Sequence, residues 1–401
     1  MDFPVLSAER LAPAVRRALQ APEAWPVRWT CEPIEGPGIN PSTAGLYRVH
    51  GTAGLDGPTS EDVSSAWRMV LKVVHLPDLQ GTLLEKGYID APEDWNYWRR
   101  EVLARRSGLL DPFTSPLRPV ACWATEDVDD TTAWLWLEEL DMPHPPVFTL
   151  VELATAAHDL GAFAALGVPL AEEVQRMPWV AQDWLRGWLT TIQAVGGDHA
   201  LSHDGCWTHP LVSDRLPASV RRSYGALMAS AGTLLDRLDR LPRTVGHLDA
   251  QASNLCLENG PEGHRTVLID WGFLGAVPIG EDLGHHIAQN VFFGVVDPAE
   301  SNEHERSATE AYLKGLRAYG WHGNDNDVEF AAAAAGALRM LPFAATYLAE
   351  LCPVTGEPDQ WPEEMARKQG REVETVMNSW CRAVIYLAQL ADRATRLLVD
   401  E

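Results

Sequence analysis

The pattern of apolar and polar positions changes character about a third of the way along the chain. Val5, Leu6, Leu11, Val15 and Leu19 recur at helical spacing around Ser7, a good N-cap, and predict a short amphipathic helix over residues 5–20. Runs rich in β-branched and aromatic residues follow. Residues 25–32, 45–51 and 67–75 predict three strands in a meander, and the link between the first two is rich in Gly, Pro, Asn and Ser. A Pro-Glu-Asp start and a stop at Gly108 bracket a predicted helix over 94–107, and residues 119–125 and 132–137 supply two more strands. Beyond Pro146 the spacing is helical almost throughout, at 149–166, 179–195, 217–238, 303–319, 327–350 and 362–398. One β-like island, 254–260 with 265–270, interrupts these helices as a hairpin. The pattern predicts an α+β fold of two lobes: residues 1–141 as a small β-rich lobe of five strands and one main helix, and 142–401 as a larger helical lobe. A junction of that kind forms a cleft.

Composition narrows the partners. The chain has 401 residues and a formal net charge of −24, from 32 basic against 56 acidic side chains, with no Lys/Arg run longer than pairs such as Arg105-Arg106. Such a chain repels phosphodiester backbones, so nucleic acid is excluded as a partner. The six cysteines are scattered without a C-x-x-C pair and no charged-then-apolar leader opens the chain, which predicts a reduced, cytoplasmic protein. No uninterrupted apolar run reaches the roughly 18 residues of a membrane span, so no membrane partner is expected. The surplus of acid suits a cationic small molecule if Asp159, Glu172, Asp183, Asp204 and Glu281 border the cleft; solubility explains the same surplus.

The sharpest chemistry lies around the island. His247-Leu-Asp249 is followed by Asn254, and Ile269-Asp270-Trp-Gly places a second aspartate sixteen residues after that asparagine. Phosphoryl transfer needs one carboxylate to receive or orient the acceptor hydroxyl, while a second carboxylate and an amide oxygen hold Mg²⁺ against the phosphates. Asp249 suits the first role; Asn254 and Asp270 suit the second. Lys72 sits inside the strand Val70-Leu-Lys-Val-Val, where an unpaired ammonium is costly and an anionic partner is expected. Glu101 is the natural one, with Glu85 and Glu93 as rivals. The alternative is an exposed Lys on an edge strand, with Glu101 paired to Arg105 one helical turn on. The link over residues 36–45 lacks a G-x-G-x-x-G pattern, yet Ser42 and Thr43 can bring hydroxyls or backbone N–H groups to phosphates. Trp134-Leu-Trp-Leu-Glu-Glu-Leu ends at the lobe junction, where backbone groups of Glu138 to Leu140 are placed to meet an adenine edge.

Taken in order, Gly-Leu-Tyr-Arg-Val, Leu-Lys-Val-Val, Tyr-Trp-Arg-Arg-Glu, Leu-Trp-Leu-Glu-Glu-Leu, His-Leu-Asp-x-x-x-x-Asn and Ile-Asp-Trp-Gly resemble the aminoglycoside phosphotransferase and related small-molecule kinase family over about residues 25–290. The resemblance implies a protein-kinase-like bilobal fold, use of ATP and Mg²⁺, and transfer to a hydroxyl of a small polar acceptor such as an aminoglycoside, sugar, amino sugar or amino alcohol. It makes Asp249 the catalytic base, Asn254 and Asp270 the metal ligands and Lys72 a ligand of the nucleotide phosphates. Leu248 stands where the family more commonly has Gly, and Asp282 matches an acidic position that braces the catalytic loop. His285 and His286 are open to either an acceptor-facing or a helix-start role. The alternative function is a catalytically silent nucleotide-binding pseudokinase, against which the intact acceptor and metal residues argue.

Overall fold

The computed structural model describes residues 4–34, 40–55, 64–78, 90–143, 145–260, 263–353 and 359–399. The first third holds α1 (Ala8–Leu19), β1 (Trp25–Pro33), β2 (Thr43–Gly54), β3 (Ser64–His75), α2 (Arg100–Ser107), β4 (Leu117–Pro119), β5 (Cys122–Asp129) and β6 (Thr132–Leu137). Five of these strands form an antiparallel sheet in the order β1-β2-β3-β6-β5. Strand alternation divides its side chains between two cores. Met69, Leu71 and Val73 of β3, with Trp134 and Trp136 of β6, pack beneath Leu11 and Val15 of α1. Val74, Leu135 and Leu137 turn to the other face, against Trp98 and Val102 at α2. Lys72, two residues before Val74, is carried to that second face by the same alternation.

The remainder is helical: α3 (Leu150–Gly167), α4 (Ala171–Gln175), α5 (Trp184–Ile192), α6 (Asp198–Ser202), α7 (Asp204–Thr208), α8 (Ala218–Leu238), α9 (Glu281–Phe292), α10 (Ser301–Ala318), α11 (Asp325–Leu351), α12 (Trp361–Gln369) and α13 (Val373–Val399). Embedded among them are β7 (Arg243–Gly246), β8 (Leu255–Gly260), β9 (Gly263–Leu268) and β10 (Gly275–Pro278). β8 and β9 form the expected hairpin, β4 lies parallel to β9, and β7 pairs with β10. Gly284 brings α9 and α11 together closely, since a Cβ there would stand 2.3 Å from the Ala332 carbonyl oxygen. The alanine run of α11 is the matching surface.

Several boundaries differ from the periodicity, each for a local reason. The helix expected from 94 begins at Arg100, because the Arg100 guanidinium donates to the carbonyls of Asp94 and Trp95 that a longer helix would need. The strand expected over 119–125 is two strands: the chain leaves β9 at Val120, whose N–H reaches Leu268 O at 2.8 Å, and joins β6 from Cys122. Residues 179–183 are non-helical, with Ala181 bridging to Gly275. The helix expected over 362–398 is interrupted at Gly370, whose φ of +61° caps α12. Two stretches, Leu150–Gln175 and Asp325–Leu351, are long and apolar enough to cross a bilayer where run length predicted none, but 61% and 89% of their apolar windows are buried. They are core helices.

Candidate active site

The site is built on the turn after β7. The Asp282 carboxylate, at the start of α9, accepts the backbone N–H of His247 at 2.7 Å and of Leu248 at 2.6 Å. Leu248 has φ +65°, a left-handed conformation that is costly for a branched side chain, and the two charge-assisted bonds offset that cost. His247 Nδ1 accepts the Asp249 N–H at 3.1 Å, so its proton sits on Nε2 and is donated to Ile269 O at 2.9 Å. One imidazole therefore ties the loop that presents Asp249 to the strand end that presents Asp270.

Asn254 Nδ2 donates to the Asp249 backbone carbonyl at 2.9 Å and to Asp249 Oδ2 at 2.8 Å. Two acceptors at that nitrogen fix the amide's orientation and leave Asn254 Oδ1 directed away from them. Ile269 N donates to Asn254 O at 3.1 Å, which sets Asn254 beside the end of β9 and hence beside Asp270. Asp270 has φ +60° and a side chain one-third exposed, 33%. An amide oxygen and a carboxylate are hard donors of the kind Mg²⁺ takes, which keeps several waters and fills its shell with phosphate oxygens. The donor set fits that ion.

Lys72 crosses from the sheet to this loop. Its ammonium lies 2.7 Å from Glu101 Oε2 and 2.8 Å from Asp270 Oδ1. Burial opposes the charge on Lys72, but Asp270 and Glu101 outweigh it and hold the ammonium above its ordinary value. Burial likewise works against the Asp270 anion, and Lys72 prevails, leaving that carboxyl below its usual range. Glu101 Oε1 also accepts the Trp271 N–H at 3.3 Å. Trp271 is fully buried, with its ring 4.6 Å from that of His247 and 5.7 Å from Phe163. Glu101 is thus the partner of Lys72; Glu93 is not among its partners, and Glu85 lies outside the described residues.

Of the link between β1 and β2, Gly36 to Ile39 lie outside the described residues. Ser42 is buried with its Oγ unpartnered among the described residues, and its N–H is held by Asn40 Oδ1 at 3.0 Å. Thr43 opens β2 opposite Val74. Glu138 commits its N–H to Ala121 O at 2.9 Å and its carboxylate to Arg118 at 2.7 and 3.0 Å, while Leu140 O accepts Met142 N at 3.1 Å. Arg118 also reaches Glu258 of β8.

The expectation of acids bordering the cleft is corrected for two residues. Asp159 is buried and accepts the N–H and hydroxyl of Thr266, and Glu281 is buried among protein groups; Glu172, Asp183 and Asp204 are exposed. His285 and His286 are buried as well. His286 is held between the carbonyls of Ala250 and Leu153, so neither histidine faces an acceptor.

Two residues of the site carried no motif, and a third, Arg100, stood inside Tyr-Trp-Arg-Arg-Glu without an assigned role. Gln289 Nε2 and Arg339 Nη2 both reach Asp249 Oδ1, at 2.9 and 2.7 Å. Arg100 of α2 donates to Gly272 O at 3.2 Å and Trp179 O at 2.8 Å, and burial lowers its guanidinium to about 9. The sequence signal for Arg339 was a lone cation in the apolar stretch of α11.

No family model matches the chain, and no curated protein matches its sequence. Among solved structures it is similar to a spectinomycin phosphotransferase in complex with ADP and spectinomycin, at 12% identity over 91% of this chain and 93% of that one, TM-score 0.45. It is similar to a microcompartment-associated aminopropanol kinase at 15% identity over 92% and 95%, TM-score 0.43. An aminoglycoside phosphotransferase from Alicyclobacillus acidocaldarius aligns at 13% identity over 100% and 97%, TM-score 0.44.

Proposed function

We propose that this chain is an ATP- and Mg²⁺-dependent phosphotransferase acting on a hydroxyl of a small polar molecule, an aminoglycoside, sugar, amino sugar or amino alcohol. Residues 1–141 and 142–401 are its two lobes, with the nucleotide between them. The observation that carries this reading is the buried ammonium of Lys72 held at once by Glu101 of α2 and Asp270 after β9. A chain has little stabilising reason to bury an ammonium between two carboxylates, because desolvation offsets most of the attraction. A lysine aimed at phosphates beside a metal-binding carboxylate explains the arrangement.

In this reading Lys72 binds nucleotide phosphates, with the Ser42 and Thr43 groups near them and the backbone between Glu138 and Leu140 beside the base. Asn254 Oδ1 and the Asp270 carboxylate hold Mg²⁺, which supplies charge neutralisation at the phosphates. Asp249 orients the acceptor hydroxyl. Its carboxylate takes the hydroxyl proton as the acceptor oxygen bonds to the γ-phosphorus and the bond to the bridging oxygen breaks, that electron pair leaving on ADP. The test is ADP release in the presence of Mg-ATP over a panel of aminoglycosides, hexoses, amino sugars and amino alcohols. Acceptor-dependent ADP release is expected; ATP binding without turnover of any acceptor favours the pseudokinase.

A further inference from the structure

Between Phe330 and Tyr347 the one charged residue of α11 is Arg339, and it is 3% exposed. Its Nη2 donates to Asp249 Oδ1 at 2.7 Å. Its Nη1 serves the Leu248 carbonyl oxygen and His285 Nδ1, the latter at 3.0 Å. Since that imidazole nitrogen accepts, the His285 proton is on Nε2, which faces Glu281 Oε1 at 3.8 Å. The guanidinium carbon stands 4.6 Å from the ring centre of Trp184 and 5.6 Å from that of Trp188, the geometry of a cation held on aromatic faces. A buried cation is expensive, and this one is fixed on four sides.

The consequence falls on the carboxylate of Asp249. Oδ1 accepts two bonds, from Arg339 and from Gln289 Nε2 at 2.9 Å, while Oδ2 accepts one, from Asn254 Nδ2 at 2.8 Å. Each carboxylate oxygen has two lone-pair directions, so Oδ1 is filled and Oδ2 keeps one. We propose that Arg339 is the positioning residue of Asp249: with Gln289 it saturates Oδ1 and presents Oδ2 to the acceptor hydroxyl as the atom that takes its proton. The proposal rests on the reading of Asp249 as the base.

The test uses Arg339→Met and Arg339→Lys, each made in the full chain and again in an Asp249→Asn background. Hydrolysis of Mg-ATP, with water as the acceptor, is followed as ADP release, and folding is followed by circular dichroism. A base held loosely costs about 10²-fold in rate. That loss in kcat is expected for Arg339→Met, with the KM for ATP changed less than about threefold and Arg339→Lys between the two. In the Asp249→Asn background the same substitutions are expected to add little, because the two side chains act as one unit. Losses that add in full, or a folded Arg339→Met with wild-type kcat, overturn the proposal. An Asp249→Asn protein with wild-type rate instead overturns the reading of the base. The crystal structure of Arg339→Lys decides independently of rate: a carboxylate rotated away from Gln289 or Asn254 is expected, and one left in place overturns the assignment.

Discussion

Asp282 accepts the backbone N–H of Leu248 at 2.6 Å, and Leu248 holds φ +65°. The residue before Asp249 therefore sits in a strained conformation that a carboxylate from another element keeps in place. Burial pushes the Asp282 carboxyl above its usual range while His247 and the two amides pull it down. Replacing it by asparagine leaves one acceptor oxygen for two amides. Asp282→Asn is expected to cost about 1–3 kcal/mol of stability and to lower kcat more than it raises the KM for ATP. Urea unfolding and steady-state kinetics check this; unchanged kcat would mean that the grip serves folding alone.

The role proposed for Lys72 links stability to nucleotide binding, and the two are separable by substitution. Lys72→Met leaves the Glu101 carboxylate, whose side chain is 3% exposed, with only Arg105 at 3.9 Å as counter-charge among the described residues, and is expected to destabilise by up to about 3–5 kcal/mol as well as to weaken ATP binding. Adding Glu101→Gln removes the excess anion while keeping an acceptor for the Trp271 N–H, so part of the stability returns while ATP affinity does not. Thermal unfolding beside calorimetric ATP titration reads both. Full recovery of affinity in the double variant would remove Lys72 from the phosphate site.

The legible part of this site is the part set by short-range periodicity. Two-residue alternation along β3 put Lys72 on one face with Val74, and the hairpin register set Asn254 beside Asp270. Spacing within a single loop fixed Asp249 and Asn254. Arg339 and Gln289 were not legible, because they reach Asp249 from α11 and α9, ninety and forty residues away, through packing that depends on Gly284 against Ala332. Arg100 was hidden for a related reason. Its guanidinium replaces helical hydrogen bonds with bonds to Asp94, Trp95 and Gly272, so a stretch with good helical spacing starts its helix six residues late. The strands β7 and β10 are four residues each, too short for alternation to mark them.

Asp270 is expected to act through metal. Asp270→Ala should weaken Mg-ATP binding much more than binding of ATP in EDTA, because in the proposed function its carboxylate meets phosphates by way of the ion. The loss of its bond to Lys72 affects both conditions alike and sets the baseline. Calorimetry with and without Mg²⁺ compares them. Equal losses would assign Asp270 to holding Lys72.

Glu281 makes stability depend on pH. Burial, reinforced by Asp282 and opposed by Arg243, pushes its carboxyl up to about 8 from an ordinary 4.5. The groups around it are His285 on its own helix, Arg243 of β7, Asp239 after α8 and Arg339 of α11. In the folded protein Glu281 keeps its proton at pH values where the unfolded chain has lost it. The folded state then binds more protons, so the contribution of this group to stability is full below about pH 4.5 and falls as pH rises through 8. Glu281→Gln keeps the shape without the titration. Relative to that variant, the wild-type protein is expected to lose stability between pH 5 and 8, by up to about 4 kcal/mol, and to lose no more above pH 9. Urea unfolding of both proteins at intervals from pH 5 to 9 measures the difference. A gap that does not change with pH would mean that Glu281 is ionised throughout and that Arg243 and Arg339 outweigh its burial.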